Sequence, residues 1–390
     1  MLLTPTTESE IATTLAAATA AREPLAIEGR GTKRALLRPV QAARTLSTRA
    51  LTGITLYRPT ELVLSARAGT PMPEIEAALA EHRQMLAPEP PDTRAIFGAE
   101  EAATIGGIVA TNLSGPRRIT AGAIRDHILG IRFVNGAGEV IRSGGRVLKN
   151  VTGLDLCKLL TGSHGTLGVI TEVTLKVLPA AESAGTLSIR VPDIATGVRA
   201  LSAGLGSPYG VTGAALLPDG EAWRAVLRIE DFPTSVTYRL ARLRDDLAAH
   251  GDATLADDSA TLWRDIRDAV PLRAAPEDAI WRLSVRPSAA PRACAALRAA
   301  FDAKLLLDWG GGLIWAAGPA TEPAHAAVTR AAAEARGTFT LFRAPAPLRA
   351  IVPVIPPDPA PLASISARVK AALDPAGVLN PGRMLVGAAP

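Results

Sequence analysis

Cysteine is scarce in this chain, and its scarcity excludes several classes of protein. Cys157 and Cys294 are the two cysteines among 390 residues, and they lie in different segments without the spacing of a metal site or a redox motif. A disulfide framework and an iron–sulfur cluster held by this chain are therefore excluded. A reducing compartment is the simpler interpretation.

Long apolar runs and a basic N-terminal segment are also lacking. No stretch of about 18 residues is free of charge and apolar, so we expect no transmembrane helix. The first five residues carry no basic side chain, and Glu8 and Glu10 follow at once, which argues against a secretory signal. We expect a cytoplasmic protein without direct insertion into a membrane.

Aromatic residues make up 4% of the chain, and they are not interleaved with its basic residues. The formal charge is +5, but the arginines are scattered among abundant alanine and proline. We interpret these arginines mainly as a bias in the overall composition rather than as a surface that binds nucleic acid. An anionic cofactor or a charged partner remains compatible with this charge.

The composition that is present indicates a folded protein with two domains. Hydrophobic residues make up 48% and charged residues 20% of the chain, and 390 residues exceed one ordinary core. Glycine-rich loops dominate residues 1–180, whereas strands alternate with alanine-rich helices over residues 181–360. This alternation favours a second α/β domain with helices on one face. Residues 361–390 form a C-terminal segment.

Three glycines, Gly162, Gly165 and Gly168, precede a predicted strand from Val169 to Val177. Glycine allows positive φ and a close approach of the backbone to a ligand. The bland alternative is a tight helix-to-strand connection. A binding loop is favoured because two similar segments lie upstream in the chain.

The first upstream segment is Gly29–Lys33, directly after a predicted strand. Its GxG pattern raises a dinucleotide-binding fingerprint, but Arg34 stands where the third glycine belongs and Pro39 breaks the helix that should follow. A loop with two glycines, a hydroxyl and two cations still suits a pyrophosphate, because its backbone N–H groups form an anion nest. The second segment is Thr104–Gly115, in which a helical turn from Gly106 would leave free N–H groups.

Candidates for acid–base chemistry are weak. His127 follows Asp126, but neighbouring residues of a strand point to opposite faces, which disfavours a catalytic pair. Trp309 and Trp315 flank a glycine turn and could line a pocket, although core packing is the favoured role.

Together these segments resemble the FAD-linked oxidases of the vanillyl-alcohol oxidase, or PCMH, type. The motifs occur in the family's order over nearly the whole chain and are strongest over residues 24–180. Within that superfamily, the run from Leu113 to Arg118 and the run through Asp155 are most similar to the FAD-binding subunit of bacterial glycolate oxidase complexes. The matching motifs are Gly29–Lys33, Thr104–Gly115, Gly122–Asp126, Lys149–Asp155, Gly162–Thr171 and Asn380–Arg383.

The resemblance implies an α+β fold, with a PCMH-type FAD-binding domain of two subdomains at 1–180, an α/β cap domain at 181–360 and a C-terminal segment that returns to the flavin. It also implies roles for individual residues. The pyrophosphate loop would comprise Gly29, Arg30, Gly31, Thr32 and Lys33. The ribityl–phosphate region and flavin would be wrapped by Thr104, Ile105, Gly106, Gly107, Asn112, Ser114, Gly115, Gly122 and Asp126. The adenine end would be held by Gly162, Gly165, Gly168 and Ile170, and the C-terminus would return through Asn380 and Arg383.

Some members of this family hold FAD covalently through a histidine. No histidine occurs in the first 81 residues, so attachment through the pyrophosphate loop is excluded and we expect non-covalent FAD. His164 lies where relatives accept varied residues and is interpreted as a bystander.

The chain departs from related 2-hydroxy-acid dehydrogenases in one respect. It lacks their late H-x-G-D-G-N-x-H metal motif, and the histidines of its second half, His250 and His325, are far apart. No histidine or metal is then evident that would take the hydroxyl proton of a 2-hydroxy acid. Arg343 or another cap arginine could hold a carboxylate, but arginine cannot serve as a base.

The resemblance implies an oxidoreductase acting on CH–OH donors. We expect an FAD-binding subunit of a glycolate oxidase complex, which oxidises glycolate to glyoxylate with a sister FAD subunit and an iron–sulfur subunit. Oxidation would belong mainly to the sister subunit, and any place at the inner membrane would come through partners. The alternatives are a self-sufficient 2-hydroxy-acid dehydrogenase and a flavin-free structural subunit.

Overall fold

The computed structural model describes residues 1–145 and 153–384. The predicted motif Lys149–Asp155 therefore lies largely outside the described residues. The strands are β1 (Leu2–Leu3), β2 (Leu25–Glu28), β3 (Arg44–Ser47), β4 (Ile54–Arg58), β5 (Val63–Arg67), β6 (Gln84–Met85), β7 (Ile128–Val134), β8 (Val140–Gly144), β9 (Val169–Lys176), β10 (Leu178–Pro179), β11 (Ser183–Val191), β12 (Val211–Asp219), β13 (Ala222–Asp231), β14 (Asp252–Leu255), β15 (Ala279–Ser284), β16 (Lys304–Asp308), β17 (Leu313–Gly318) and β18 (Thr338–Arg343).

The helices alternate with these strands. They are α1 (Glu8–Ala21), α2 (Met72–Glu81), α3 (Arg94–Phe97), α4 (Ile105–Thr111), α5 (Arg118–Ala121), α6 (Leu156–Leu160), α7 (Ile194–Leu205), α8 (Pro233–Leu247), α9 (Ser259–Arg267), α10 (Ala290–Ala300), α11 (Glu322–Glu334), α12 (Ala346–Ile351) and α13 (Ala360–Leu373). The predicted α+β fold is confirmed. No helix in the described part of the chain is long and apolar enough to cross a membrane.

The described part of the N-terminal half contains a three-stranded sheet, a five-stranded sheet and a two-stranded pair of β6 and β10. The strands β1, β3 and β2 pair in parallel, and α1 buries Ile11 and Leu15 beside them. A five-stranded antiparallel sheet follows in the order β4-β5-β9-β7-β8. Its central strand β9 begins directly after Gly168, so the three-glycine loop leads from the edge of a binding cleft into the core.

The second half is built on an eight-stranded sheet in the order β14-β11-β13-β12-β16-β17-β15-β18. One face packs on helices such as α7, whose Gly197 leaves room for Leu216 of β12. The pairing register places Arg282 beside Trp315, on the other face. That face meets the N-terminal half, because Leu36, Leu37, Ile96 and Leu113 belong to the same buried core as the large sheet.

The proline-rich segment from Pro345 to Pro361 contains a short helix. The helix α12 spans Ala346–Ile351, and α13 begins at Ala360. Proline is tolerated in the first turn of a helix, where its missing N–H has no partner to lose, and Pro347 and Pro361 lie in such turns. Proline therefore marks helix starts here.

Candidate functional site

A cavity of about 370 Å³ lies in the N-terminal half, where three loops and the C-terminal segment meet. It is enclosed by the loop after β2, the start of α4, the turn before β9 and residues 380–383. Thirteen of the residues implied by the resemblance line it: Gly29, Arg30, Gly31, Thr32, Lys33, Thr104, Gly106, Gly107, Gly165, Gly168, Ile170, Asn380 and Arg383. Tertiary structure thus brings together loops that are up to 350 residues apart in the chain.

Seven other implied residues lie outside the lining of this cavity: Ile105, Asn112, Ser114, Gly115, Gly122, Asp126 and Gly162. Several of them fix the segment after α4. The Ser114 hydroxyl accepts a hydrogen bond from the Ile124 N–H at 3.0 Å, and the Asp126 carboxylate accepts one from the Ala123 N–H at 2.9 Å. Their part in binding a ligand stays a prediction.

The start of α4 shapes one wall of the cavity. Thr104 caps the helix, because its hydroxyl accepts a hydrogen bond from the Gly107 N–H at 3.2 Å. A Cβ atom on Gly106 would lie 2.7 Å from the Cβ of Ala68, so glycine allows the helix to pack closely on β5 and the turn after it. One on Gly29 would lie 2.5 Å from the Thr104 hydroxyl. Glycine therefore keeps the two walls close together.

The loop from Gly29 to Lys33 presents positive charge to the cavity. Gly31 has a φ of +71°, which favours glycine, and the Ser47 hydroxyl donates a hydrogen bond to the Gly29 carbonyl. Lys33 is 9% exposed, and no carboxylate of the described residues lies within ion-pair distance of it. Burial lowers the pKa of Lys33 to about 8. The Nε atom of Arg30 is buried and has no partner among the described residues.

The C-terminal segment holds this loop in place. Asn380 accepts a hydrogen bond from the Ile27 N–H at 2.8 Å and donates to the His164 carbonyl at 2.8 Å. Arg383 donates to the carbonyls of Lys33 and Arg38 at 3.0 Å, and burial lowers its pKa to about 10. The side chains of Asn380 and Arg383 therefore connect the cavity's loops to each other.

Sequence reasoning missed several residues of this wall. Thr45 lies on β3, which is parallel to β2, Thr48 follows β3, and Thr111 lies one turn of α4 after Gly107. A hydroxyl on the strand next to the loop, or at helical spacing from a glycine, is the signal that could have indicated them. Arg349 was also missed, although it donates to the Leu37 carbonyl at 2.8 Å and anchors the end of the same loop.

The histidines of the N-terminal half have no evident catalytic arrangement. His164 lines the cavity, and burial, together with the charges of Arg383 and Lys33, lowers its pKa to about 3. His127 is buried, with Nε2 2.8 Å from the Ala121 carbonyl. Among the described residues, no group of three histidine, cysteine or acidic side chains could hold a metal ion.

The residues of the cavity fit FAD. Among the residues that the structure describes, the Nε atom of Arg30 is a buried polar atom without a hydrogen-bond partner, and Lys33 is a buried cation without an ion-pair partner. Such atoms are stabilised when an anionic, hydrogen-bonding ligand lies beside them. The cavity's volume lies in the range of cofactor sites.

A second cavity of about 390 Å³ lies where the large sheet meets the N-terminal half. Charged side chains form a network beside it. Arg117 and Arg228 both contact Glu89, at 2.7 and 2.9 Å, and both contact Glu230, at 2.7 and 3.3 Å. Since Arg228 is 3% exposed as a side chain, these pairs neutralise charges that are removed from water.

Comparisons with known proteins agree with this geometry. A family model described as an FAD binding domain matches residues 1–144. The chain is 37% identical over 368 residues to glycolate oxidase subunit GlcE of Escherichia coli (strain K12), which covers 93% of both chains. It is 32% identical over 156 residues to a D-lactate dehydrogenase of Archaeoglobus fulgidus, covering 40% of this chain and 33% of that protein.

Solved structures show the same fold. A 4-ethylphenol oxidase from Gulosibacter chungangensis superposes with a TM-score of 0.74 at 13% identity, covering 99% of this chain and 89% of that one. An alkyldihydroxyacetonephosphate synthase gives a TM-score of 0.72 at 17% identity, covering 97% and 76%. Together with the family model, these likenesses show a PCMH-type FAD-binding fold, with FAD as the cofactor.

Proposed function

The chain belongs to the FAD-linked oxidase family that includes glycolate oxidase subunit GlcE, and from this premise we propose that it is the FAD-binding subunit of a glycolate oxidase complex. In that complex it oxidises glycolate to glyoxylate together with a sister FAD subunit and an iron–sulfur subunit. The observation that carries the proposal is the cavity in which the glycine loops converge around Lys33, a buried cation without an ion-pair partner among the described residues.

The proposed roles follow from the contacts. Lys33 and Arg30 supply positive charge for the two phosphates, and the N–H groups of Gly29–Lys33 supply hydrogen-bond donors. Gly107 and Gly165 leave room for close approach, while Asn380 and Arg383 fix the loops. We propose that the seven implied residues outside the cavity lining, Ile105 and Asn112 among them, hold the segment that borders the flavin.

When bound, FAD would supply a hydride acceptor for oxidation of the substrate carbon. The chain's residues orient it and exclude water from its phosphates. Two buried histidines of the chain already have partners within the fold. His127 lies against a carbonyl oxygen, and His325 accepts a hydrogen bond from the Trp281 indole. We therefore propose that sister-subunit residues remove the substrate's hydroxyl proton.

A second candidate is substrate oxidation by this chain alone. One observation favours it: buried arginines and the buried carboxylate of Asp308 lie at the junction between the large sheet and the N-terminal half. Asp308 is a carboxyl group that could accept a proton, because burial raises its pKa to about 7.

The deciding experiment is anaerobic mixing of the purified chain with glycolate while its flavin absorbance is recorded. We expect bound flavin that stays oxidised until the sister subunit is added. Bleaching by glycolate without the sister subunit would instead show that this chain oxidises substrate itself. A purified, folded chain that retains no FAD when FAD is supplied would contradict the proposal.

A further inference from the structure

Two arginines of the junction lie against one indole ring. The guanidinium carbon of Arg118, the first residue of α5, is 4.5 Å from the centroid of Trp309. That of Arg282, on β15, is 5.6 Å from the same ring and 4.7 Å from Trp315. The Trp309 indole N–H donates to the Gly115 carbonyl at 3.1 Å. The ring is thus fixed to the segment that we expect beside the flavin.

The other arginines of this junction have their donors engaged. Arg117 and Arg228 contact Glu89 and Glu230. Arg343, which the sequence suggested for a carboxylate, donates instead to the carbonyls of Ile96, Ala275 and Asp278. The guanidinium N–H groups of Arg343 already donate to backbone carbonyls, so they are not available to a ligand.

Arg118 and Arg282 differ from these three arginines. Neither guanidinium group makes a hydrogen bond or an ion pair with the residues that the structure describes, and the Nε atom of Arg282 is buried without a partner there. The guanidinium carbons lie over the rings of Trp309 and Trp315, and no described residue accepts a hydrogen bond from their N–H groups. Such edges match the two oxygens of a carboxylate.

Electrostatics favours an anion between these groups. Burial and the nearby charge of Arg118 lower the pKa of Arg282 to about 10, although Asp308 acts in the opposite direction. Burial also lowers the pKa of Arg118. The two partly buried cations repel each other, and Asp308 and Asp126 act on them without an ion pair within 4.0 Å among the described residues, so an anion that contacts both guanidinium groups would be stabilised.

We propose that Arg118 and Arg282, held by Trp309, form a binding site for the carboxylate of a small 2-hydroxy acid or of its 2-oxo product. The proposal rests on the proposed function for the identity of the ligand, and on the unpaired arginines for the site. It places a substrate or product contact within this chain as well as in any sister subunit.

The test measures binding of glycolate to the purified full-length chain by calorimetry, with its FAD content recorded. Glycolamide, which has the same shape without the charge, and inorganic phosphate are titrated separately. We expect glycolate to bind, glycolamide not to bind, and phosphate to bind at least tenfold more weakly than glycolate. Arg282→Met and Arg118→Met should each raise the dissociation constant for glycolate about tenfold or more, because a charge-assisted pair is lost.

Arg224→Met is the matched control. Arg224 also has a buried Nε without a partner and lies on the same face of the large sheet, but β13 is four strands from β15, or about 19 Å. Its glycolate affinity should equal that of the wild type. Arg282→Lys, which keeps the charge and loses the fork, should recover part of the affinity.

Unchanged glycolate affinity in both methionine variants would overturn the proposal, as would a wild-type chain that binds no glycolate or binds phosphate equally well. A purely structural role of Arg282 would lower the melting temperature and leave the glycolate affinity of the folded protein unchanged. Failure of the proposed function is separate, since it would appear as absent FAD or as a complex that does not oxidise glycolate.

Discussion

The FAD cavity and the ion-pair network at the junction use positive charge in opposite ways. In the cavity, Lys33 is buried without a carboxylate partner among the residues that the structure describes, and the loops around it present backbone N–H groups. At the junction, Arg117 and Arg228 are paired with Glu89 and Glu230. An unpaired buried cation indicates a place for a ligand, whereas a paired one holds two parts of the chain together.

The largest effect should come from the junction. Glu89→Gln keeps the shape of the side chain but removes the charge that faces both Arg117 and Arg228, so two buried cations lose a partner. We expect the free energy of unfolding to fall by about 3–5 kcal/mol in urea denaturation. FAD affinity of the folded protein should stay near that of the wild type.

Glu61→Gln is the control for this variant, because Glu61 pairs with Arg58 on the surface, where both side chains are about half exposed. It should change the free energy of unfolding by less than about 1 kcal/mol. If Glu89→Gln weakened FAD binding as strongly as a change in the cavity, the two regions would not be separable.

In the cavity, substitution of Lys33 should weaken FAD binding without destabilising the FAD-free chain. Lys33→Met removes the buried cation, and we expect the dissociation constant for FAD to rise about 30-fold in a fluorescence titration. The folded pKa of about 8 lies below the unfolded value of 10.5, so the charge of Lys33 destabilises the FAD-free chain at pH 7.

The FAD-free Lys33→Met variant should therefore be as stable as the wild type or more stable at pH 7, with the difference vanishing above pH 10.5 as the lysine of both states loses its proton. Lys158→Met, at an exposed lysine, should leave FAD affinity unchanged. Equal FAD affinity in Lys33→Met would remove the basis for assigning the cavity to FAD phosphates.

The buried carboxyl group of Asp308, at the junction, should make the stability of the chain depend on pH. Burial raises its pKa from 3.8 to about 7, so the folded state holds the proton more tightly than the unfolded state. Its contribution to stability therefore falls as pH rises from about 4 to 7. Asp308→Asn keeps an oxygen that can accept a hydrogen bond from the backbone N–H of Trp309. The variant should raise the free energy of unfolding by about 1–2 kcal/mol at pH 8 and little at pH 4.

Urea denaturation at the two pH values checks this. Asp245→Asn, at an exposed aspartate, should show no such difference between pH 4 and pH 8. A wild-type chain whose stability near neutral pH does not depend on Asp308 would contradict the expected titration.

The smallest effect concerns the helix at the cavity wall. Thr104→Ala removes the hydroxyl that accepts the Gly107 N–H, and caps of this kind contribute about 1 kcal/mol. Thermal unfolding with and without FAD measures it, and Thr104→Ser should restore the wild-type value. A Thr104→Ser variant that is as unstable as Thr104→Ala would show that loss of the cap is not the cause.

The fold and much of the candidate site could be predicted from the sequence because their signals are local. Glycines beside hydroxyls, such as Gly29–Lys33 and Gly162–Thr171, mark loops by conformational freedom, and alternating apolar residues mark β9. The helix α12 within the proline-rich segment Pro345–Pro361 is not evident from composition, because the effect of proline depends on its position within a helical turn.

The sequence by itself determined the α+β class, the glycine loops and the absence of a histidine in the chain's first 81 residues. Tertiary structure alone decided which charges are free. Arg282 and Arg343 look alike in the sequence, but strand pairing places one against aromatic rings and the other against three carbonyls. The physical reason is that the burial and the partners of a charged side chain depend on contacts between strands that are distant in the chain. The type of each residue, in contrast, is given by the sequence alone.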